Sequence, residues 1–338
     1  MSAARADRPV ADASAWRGPE MARDPSWVMR FTPAMIDEID ATLSAVKARG
    51  LDATRFGPDD FPLPTVGPFL ARALDEVRDG RGFALLRGLP VGRWDMDDLR
   101  RLYWGLGCRW GRPVTQNLKG DLIARIEDLG LDVDALNVKP SQTRAEQRPH
   151  TDPADVVALL CVNRAREGGV SRIASSTTIW NEILAHRPDD LPVLLRGFQH
   201  DLRGDDATAT GVTPQPIPIY RWRDGRLSCV FNASTIKDAQ RKTGRAIPAH
   251  EMAAVDFIAD TARRDDIRLD MAFEPGDIQL LNNYTILHWR TAFTDDPGAK
   301  RLLLRFWVDV PGFRPLDPAL ARGYITGART GAAELVAM

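Results

Sequence analysis

The sequence is poor in several things at once. It has three cysteines in 338 residues, Cys108, Cys161 and Cys229, all too far apart for a CxxC pair, which removes a disulfide framework or a thiolate zinc site as its organising device. It has no surplus of either charge: 45 basic and 46 acidic side chains leave a net charge of −1, so nothing is available to neutralise a run of phosphates, and nucleic acid or an anionic membrane is not the expected partner. No apolar run approaches the ~20 residues that cross a bilayer, and the start, MSAARADRPVADASAWRGPE, has no apolar core of a signal segment. These absences point to a reducing, cytoplasmic setting and a small-molecule partner, and they leave a homo-oligomer open. Histidine is also scarce, with five in the chain.

What is present divides the chain in two. Residues 1–30, rich in Ala, Arg, Asp and Pro without a period, are expected to form a loosely ordered arm, and 31–338 a single catalytic domain. Thr32 can cap a helix that starts at Pro33, repeats Ile36, Ile39, Leu43 and Val46 on one face and closes near Gly50. Further helices are predicted over about 66–79 and 95–107, with a buried strand Phe83–Leu86 between them, so residues 31–110 read as helical packing material. From about 121 the pattern changes to short strands: Leu122–Ile126, Val156–Val162, Ile217–Trp222, Leu227–Phe231, Asp277–Leu281, Ile286–Trp289 and Leu302–Val310, with Asp224-Gly225 as a hairpin turn. Helices are expected at about 177–196 and 248–264. Many short strands with Gly and Pro turns predict an α+β chain with a mainly β core, a jelly roll or double-stranded β-helix decorated by helices, over about 83–310. Segments 115–148 and 199–216 lack a usable period and are expected to act as lids.

Three segments carry candidate chemistry. His150 and Asp152 form a His-Thr-Asp triplet ahead of an apolar strand, and in extended chain both side chains point the same way. With 46 acids in 338 residues and five histidines, one such triplet has about even odds of arising by chance, so it needs company. His288 supplies it, from inside an apolar strand that follows the Glu274-Pro275-Gly276-Asp277 turn. The stretch KRLLLRFWVDV then puts Arg301, Leu303, Arg305 and Trp307 on one face and Leu302, Leu304, Phe306 and Val308 on the other, and both faces look buried. A buried guanidinium without a counter-charge costs several kcal/mol, so an inward arginine implies an anionic partner. Two imidazoles and one carboxylate suit Fe(II) with open coordination positions, whereas a structural zinc site would close with a fourth ligand.

With these residues in place the sequence resembles the taurine dioxygenase and clavaminate synthase-like (TauD/TfdA) family of Fe(II)/2-oxoglutarate-dependent oxygenases over roughly 83–310. The carrying segments are Pro149-His150-Thr151-Asp152, Gly168-Gly169-Val170-Ser171, Pro275-Gly276-Asp277-Ile278, Leu287-His288 and Arg301-Leu-Leu-Leu-Arg305. The resemblance implies that His150, Asp152 and His288 bind iron and that Arg301 grips the distal carboxylate of 2-oxoglutarate, assisted by Ser171 where many relatives have Thr. Arg305 would lie near the other carboxylate or a substrate anion. Thr177 and Thr178 are weaker candidates for the hydroxyl. The implied reaction consumes O2 and 2-oxoglutarate, releases succinate and CO2, and hydroxylates an unactivated C–H of a small polar or amino-acid-like molecule; halogenation is disfavoured because Asp152 fills the place a halide needs. Arg148 and Asn282 are candidates for substrate contact, with Gln147 and Asn283 near the ligands in sequence. The rival expectations are a barrel metalloenzyme that does not use 2-oxoglutarate, which would have no use for two buried arginines, and a catalytically silent barrel that binds a small anion or a partner protein.

Overall fold

The computed structural model describes residues 8–117, 119–135, 138–203 and 211–320. Its frame is a pair of β-sheets lying face to face. The larger runs in the order Val28–Arg30, Phe83–Arg87, Ile278–Asn282, Val156–Asn163, Leu302–Asp309, Arg112–Val114, with Ile123–Ile126 also paired to Leu302–Asp309. The smaller runs Leu269–Met271, Ser171–Ser175, Ile286–Arg290. Every pairing is antiparallel except that of Val28–Arg30 with Phe83–Arg87. This is the jelly-roll core the strand pattern predicts.

Alternation along the strands explains the layers. Phe83, Leu85, Val157, Cys161, Leu281, Leu303 and Trp307 of the large sheet meet Ile173, Leu269, Met271 and Ile286 of the small one in one apolar cluster between the sheets. The other parity of the same strands, Ala84, Leu86, Ala158, Leu160, Leu280, Leu304, Phe306 and Val308, packs outward against Ile36, Ile39, Leu43, Phe69, Leu70, Leu102 and Leu106 of the N-terminal helices. The outer face of the small sheet, Ala174, Leu287 and Trp289, is covered in turn by Ile179, Trp180, Ile183, Val255 and Ile258. Strands covered on both sides read as near-continuous apolar runs, which is why Leu302–Asp309 looked buried on both faces.

The helices Pro33–Ala48, Val66–Asp79, Met96–Gly107 and Ala249–Arg263 fall where expected, and Thr32 caps the first through the Met35 N–H at 3.3 Å. The Asp224-Gly225 hairpin joins Tyr220–Arg223 to Arg226–Cys229, both turn residues having positive φ, 47° and 78°. The structure corrects four expectations. The 177–196 helix is two, Ser176–His186 and Leu191–Arg196, because Pro188 cannot continue the first. The helix Ala233–Thr243, capped by Asn232, and the strand Ser171–Ser175 were not foreseen, the first for lack of apolar periodicity and the second because its Gly-Gly approach reads as a turn. Of the expected strand Ile217–Trp222 only Tyr220–Arg223 is one.

The fourth correction concerns the arm. Residues 8–30 are packed: Trp16 is buried, donates its indole N–H to the Arg81 carbonyl at 2.8 Å and meets Phe83 edge-on, and Val28–Arg30 adds a strand to the large sheet. Composition missed this because a few anchoring aromatics outweigh a polar average. Residues 1–7, and 204–210 of the expected second lid, lie outside the described residues.

Candidate metal centre

His150 sits at the end of the loop that leads into Val156–Asn163, and His288 in the middle of Ile286–Arg290. The two are tied as an antiparallel pair: the His150 N–H donates to the His288 carbonyl at 3.1 Å and the His288 N–H to the His150 carbonyl at 2.9 Å. Paired residues project their side chains to the same face. The imidazoles therefore lie together, with ring centres 4.4 Å apart. Asp152, two residues along, turns the same way and is fixed by its own N–H, which donates to the Asn283 side-chain oxygen at 2.9 Å. His150 Nε2 is 3.8 Å from Asp152 Oδ1 and His288 Nε2 is 3.7 Å from Oδ2. One donor atom from each of the three lies within 4.8 Å of the others, a spacing fit to share one ion.

The electrostatics suit a cation held by neutral imidazoles and an ionised carboxylate. Burial pushes both histidines below their usual range, His288 to about 3, with the neighbouring His150 adding to the effect. Burial also opposes ionisation of Asp152. Arg305, then the two imidazoles and the Trp307 N–H, outweigh it and hold the carboxyl well below the ordinary carboxylate range. Trp307 Nε1 donates to Asp152 Oδ2 at 2.9 Å, and Arg305 lies 3.4 Å from the same oxygen. His150 Nδ1 is 2.8 Å from the Arg148 carbonyl, which fixes the proton there and turns Nε2 toward the shared point. An N,N,O donor set of this kind fits ferrous iron, and among the described residues no fourth protein ligand closes it.

Around this point opens a cavity of about 190 Å³. Arg301 and Arg305 both line it, on one strand face as the sequence pattern predicts. Arg305 donates from Nε to Gln116 Oε1 at 2.7 Å and stacks on Trp307. Arg301 is different: it is buried, packs over Phe293, and among the described residues no carboxylate lies within ion-pair distance of its guanidinium. Desolvation accordingly lowers its pKa. Ser171 also lines the cavity and is held by Gln279 at 3.1–3.2 Å, whereas Thr177 and Thr178 bond instead to Ser14 and to the Trp16 carbonyl.

The substrate candidates part company. Arg148 and Gln147 reach the cavity rim. Asn282 does not: its side chain donates to the Val77 carbonyl at 3.0 Å and accepts from the Tyr284 N–H, so it buttresses a turn and the substrate role expected of it is withdrawn. Its neighbour Asn283 is the one that reaches a ligand. Sequence reasoning also passed over Trp307 as a partner of Asp152, although its shared face with Arg305 was the available signal, and over Arg290. Arg290 follows His288 by two, lines the cavity, and donates to the carbonyls of Pro140, Thr143, Arg144 and Ala145, pinning that stretch to the strand that carries His288. Burial, then the nearby Arg301, pushes this guanidinium down to about 9.

A jelly roll with two imidazoles and a carboxylate converging beside a buried arginine defines a non-haem metal oxygenase type of site. The family model described as "Taurine catabolism dioxygenase TauD, TfdA family" matches residues 47–307, and the chain belongs to that family. It is 28% identical over 325 residues to FR-33289 synthase of Streptomyces rubellomurinus, covering 93% of this chain and 94% of that protein. Among solved structures it is similar to an asparagine oxygenase in complex with Fe(II), 3-hydroxyasparagine and succinate (TM-score 0.65, 13% identity, 83% of this chain and 93% of that one). It is also similar to the non-haem iron oxygenase OrfP in complex with Fe and α-ketoglutaric acid (TM-score 0.59, 15% identity, 83% and 93%).

Proposed function

We propose that the protein is an Fe(II)/2-oxoglutarate-dependent dioxygenase that hydroxylates an unactivated C–H of a small polar, amino-acid-like molecule, releasing succinate and CO2. The observation that carries this reading is a three-residue N,N,O donor set beside Arg301, a buried cation with no carboxylate within ion-pair distance among the described residues. Iron with 2-oxoglutarate and dioxygen supplies the oxidising power, a chemistry that belongs to the cofactors.

The residues supply binding and orientation. His150, Asp152 and His288 hold the metal. Asn283 holds the Asp152 backbone through its N–H, Trp307 holds the Asp152 carboxylate, and the Arg148 carbonyl sets the His150 tautomer. Arg301 would hold the distal carboxylate of 2-oxoglutarate with Ser171, which Gln279 orients, as a hydroxyl donor, and Arg305, beside Asp152, would offer its charge to the other carboxylate. Ile126, Leu159, Leu303 and Phe273 wall the cavity with apolar surface, which excludes water and strengthens each of these ionic contacts. A metalloenzyme without 2-oxoglutarate would leave Arg301 a buried charge with no purpose.

The test is anaerobic titration of metal-free protein with Fe(II) and then 2-oxoglutarate, watching for a visible charge-transfer band, followed by succinate release in air. Ala at His150, Asp152 or His288 is expected to weaken iron binding at least ~100-fold, the scale of losing a ligand contact, and to abolish turnover. A band that fails to form with the intact protein would end this reading.

A further inference from the structure

Arg290 is buried with its charge matched only by peptide oxygens. One terminal nitrogen donates to the carbonyls of Arg144, Ala145 and Thr291 and the other to those of Pro140 and Thr143. Its Nε is buried and has no acceptor among the described residues. Asp128, Glu146 and Asp295 are near enough for their charge to be felt, yet among the described residues no carboxylate lies within ion-pair distance. Carbonyl dipoles satisfy the N–H groups but offset only part of the cost of burying the cation.

A second buried cation shares its aromatic support. Arg290 Cζ lies 4.6 Å and Arg301 Cζ 5.2 Å from the centre of the Phe293 ring, so the two guanidiniums are no further apart than those distances together. Like charges that close in a dry interior repel, and Arg301 weighs on Arg290 more than any of the three carboxylates does. Register adds to the juxtaposition: Arg290 pairs with Ser171, which places both side chains on one face of the small sheet. The carbonyls that Arg290 holds belong mainly to 140–145. The same stretch continues through Gln147, whose N–H donates to the Arg290 carbonyl at 3.1 Å, to Arg148, whose carbonyl fixes the His150 ring. Pro140, Ser141, Gln147 and Arg148 form part of the cavity wall. One side chain therefore stands between the Arg301 site and that wall.

We propose that Arg290 is a positioning residue that closes the 140–148 wall of the cavity when an anion fills the Arg301 site. A carboxylate on Arg301 cancels the charge that opposes Arg290, and Arg290 then holds its carbonyls more firmly. Without that carboxylate, loosening of the stretch relieves the repulsion by letting water reach Arg290. Coupling of this kind is reciprocal, so the closed wall in turn tightens the anion on Arg301. The proposal rests on the functional reading above, in which that anion is 2-oxoglutarate, and adds to it a mechanical link from the cosubstrate to the cavity wall.

The test is hydrogen–deuterium exchange of the peptide covering 138–148 in oxygen-free, Fe(II)-loaded protein, with and without saturating 2-oxoglutarate. The charge-transfer band in the same samples shows that each protein is folded and loaded. In the intact protein 2-oxoglutarate is expected to slow exchange of this peptide about fivefold or more, the lower end of coupling between two sites. Arg290→Met keeps an apolar stem and removes the charge, so its exchange should be fast whether or not the cosubstrate is bound. Arg290→Lys keeps the charge with fewer donors and should retain part of the slowing; it preserves the comparison if loss of the charge unfolds the chain. Slowing of equal size in Arg290→Met overturns the proposal, as does exchange that 2-oxoglutarate leaves unchanged in the intact protein while the band forms. Absence of the band in the intact protein counts instead against the 2-oxoglutarate reading itself.

Discussion

At the scale of single residues, the site is built from charges that each need a stated partner. Arg301 is the sharpest case, because among the described residues no carboxylate lies within ion-pair distance of this buried guanidinium, and a bound anion would offset its desolvation cost. Replacing it with Gln is therefore expected to raise the 2-oxoglutarate concentration for half-maximal turnover about 100-fold while leaving the iron affinity of the protein within a few-fold of the original, measured by titrating each ligand separately. An unchanged 2-oxoglutarate requirement would assign the cosubstrate carboxylate elsewhere. Trp307 makes a finer prediction: Trp307→Phe keeps the ring but removes the N–H that binds Asp152 Oδ2, and should weaken Fe(II) binding by about tenfold, the usual cost of losing a partner that orients a metal ligand. The grouping of His150 with Asp152 and of Arg301 with Arg305 was legible in the sequence because strand parity puts i, i+2 and i+4 on one face, while His288 was a candidate from its apolar strand alone. Arg203 was not, since nothing local to it says what it will meet, and Asn283 was legible as a neighbour of the ligands but not as the acceptor of the Asp152 N–H.

At the scale of elements, the turn before Ile278–Asn282 ties that strand to its neighbour Phe83–Arg87 within the large sheet. Asp277 is fully buried and takes a bidentate pair from Arg87 of the neighbouring strand, Nε to Oδ1 at 2.8 Å and a terminal nitrogen to Oδ2 at 2.7 Å, while Oδ2 also accepts the Glu274 N–H at 2.8 Å. The Pro-Gly-Asp segment that carries part of the family resemblance thus has a structural duty of its own. Asp277→Ala leaves the Arg87 guanidinium with the exposed Glu274 carboxylate as its ion-pair partner and unpairs the Glu274 N–H, and is expected to cost about 3 kcal/mol in urea-induced unfolding. Gly276→Ala should be as damaging for a steric reason: φ is +90°, and a Cβ there would stand 1.8 Å from the Leu89 carbonyl oxygen. Helices were legible at this scale wherever caps and periodicity agreed, as in Pro33–Ala48. The Ala233–Thr243 helix escaped because its stability comes from burying Ala233, Ile236 and Ala239 under other elements, a tertiary contribution that periodicity does not display.

For the whole molecule, the metal centre sets the pH response of folding. Both imidazoles titrate below their unfolded value of about 6.5, His288 at about 3, so in metal-free protein the unfolded chain binds protons that the folded one refuses. Stability must then fall as pH drops through about 6.5, with a limiting slope of about 1.4 kcal/mol per pH unit for each histidine, and His288's share continues until its folded value is reached. Denaturation of the metal-free protein between pH 7 and pH 5 should show this loss. His288→Phe should reduce the slope, and saturating Fe(II) should steepen the pH dependence, since protons then also compete with the metal. A pH-independent stability in this range would mean that the imidazoles are not desolvated as described.

What the amino-acid sequence determined by itself is the alternation that makes strands, the caps that start helices and the spacing that puts His150 with Asp152 and Arg301 with Arg305, because these depend on backbone periods of two and 3.6 residues that every stretch of chain carries within it. What only the tertiary structure decided is which distant groups meet. The pairing of His150 with His288, the capture of Asp152 by Trp307 and Asn283, the docking of Trp16 under Arg81, and the gathering of Lys139, Arg148 and Arg203 at one cavity all depend on how two sheets close on each other. That closure is fixed by the fit of apolar faces over the whole core, which no local segment encodes.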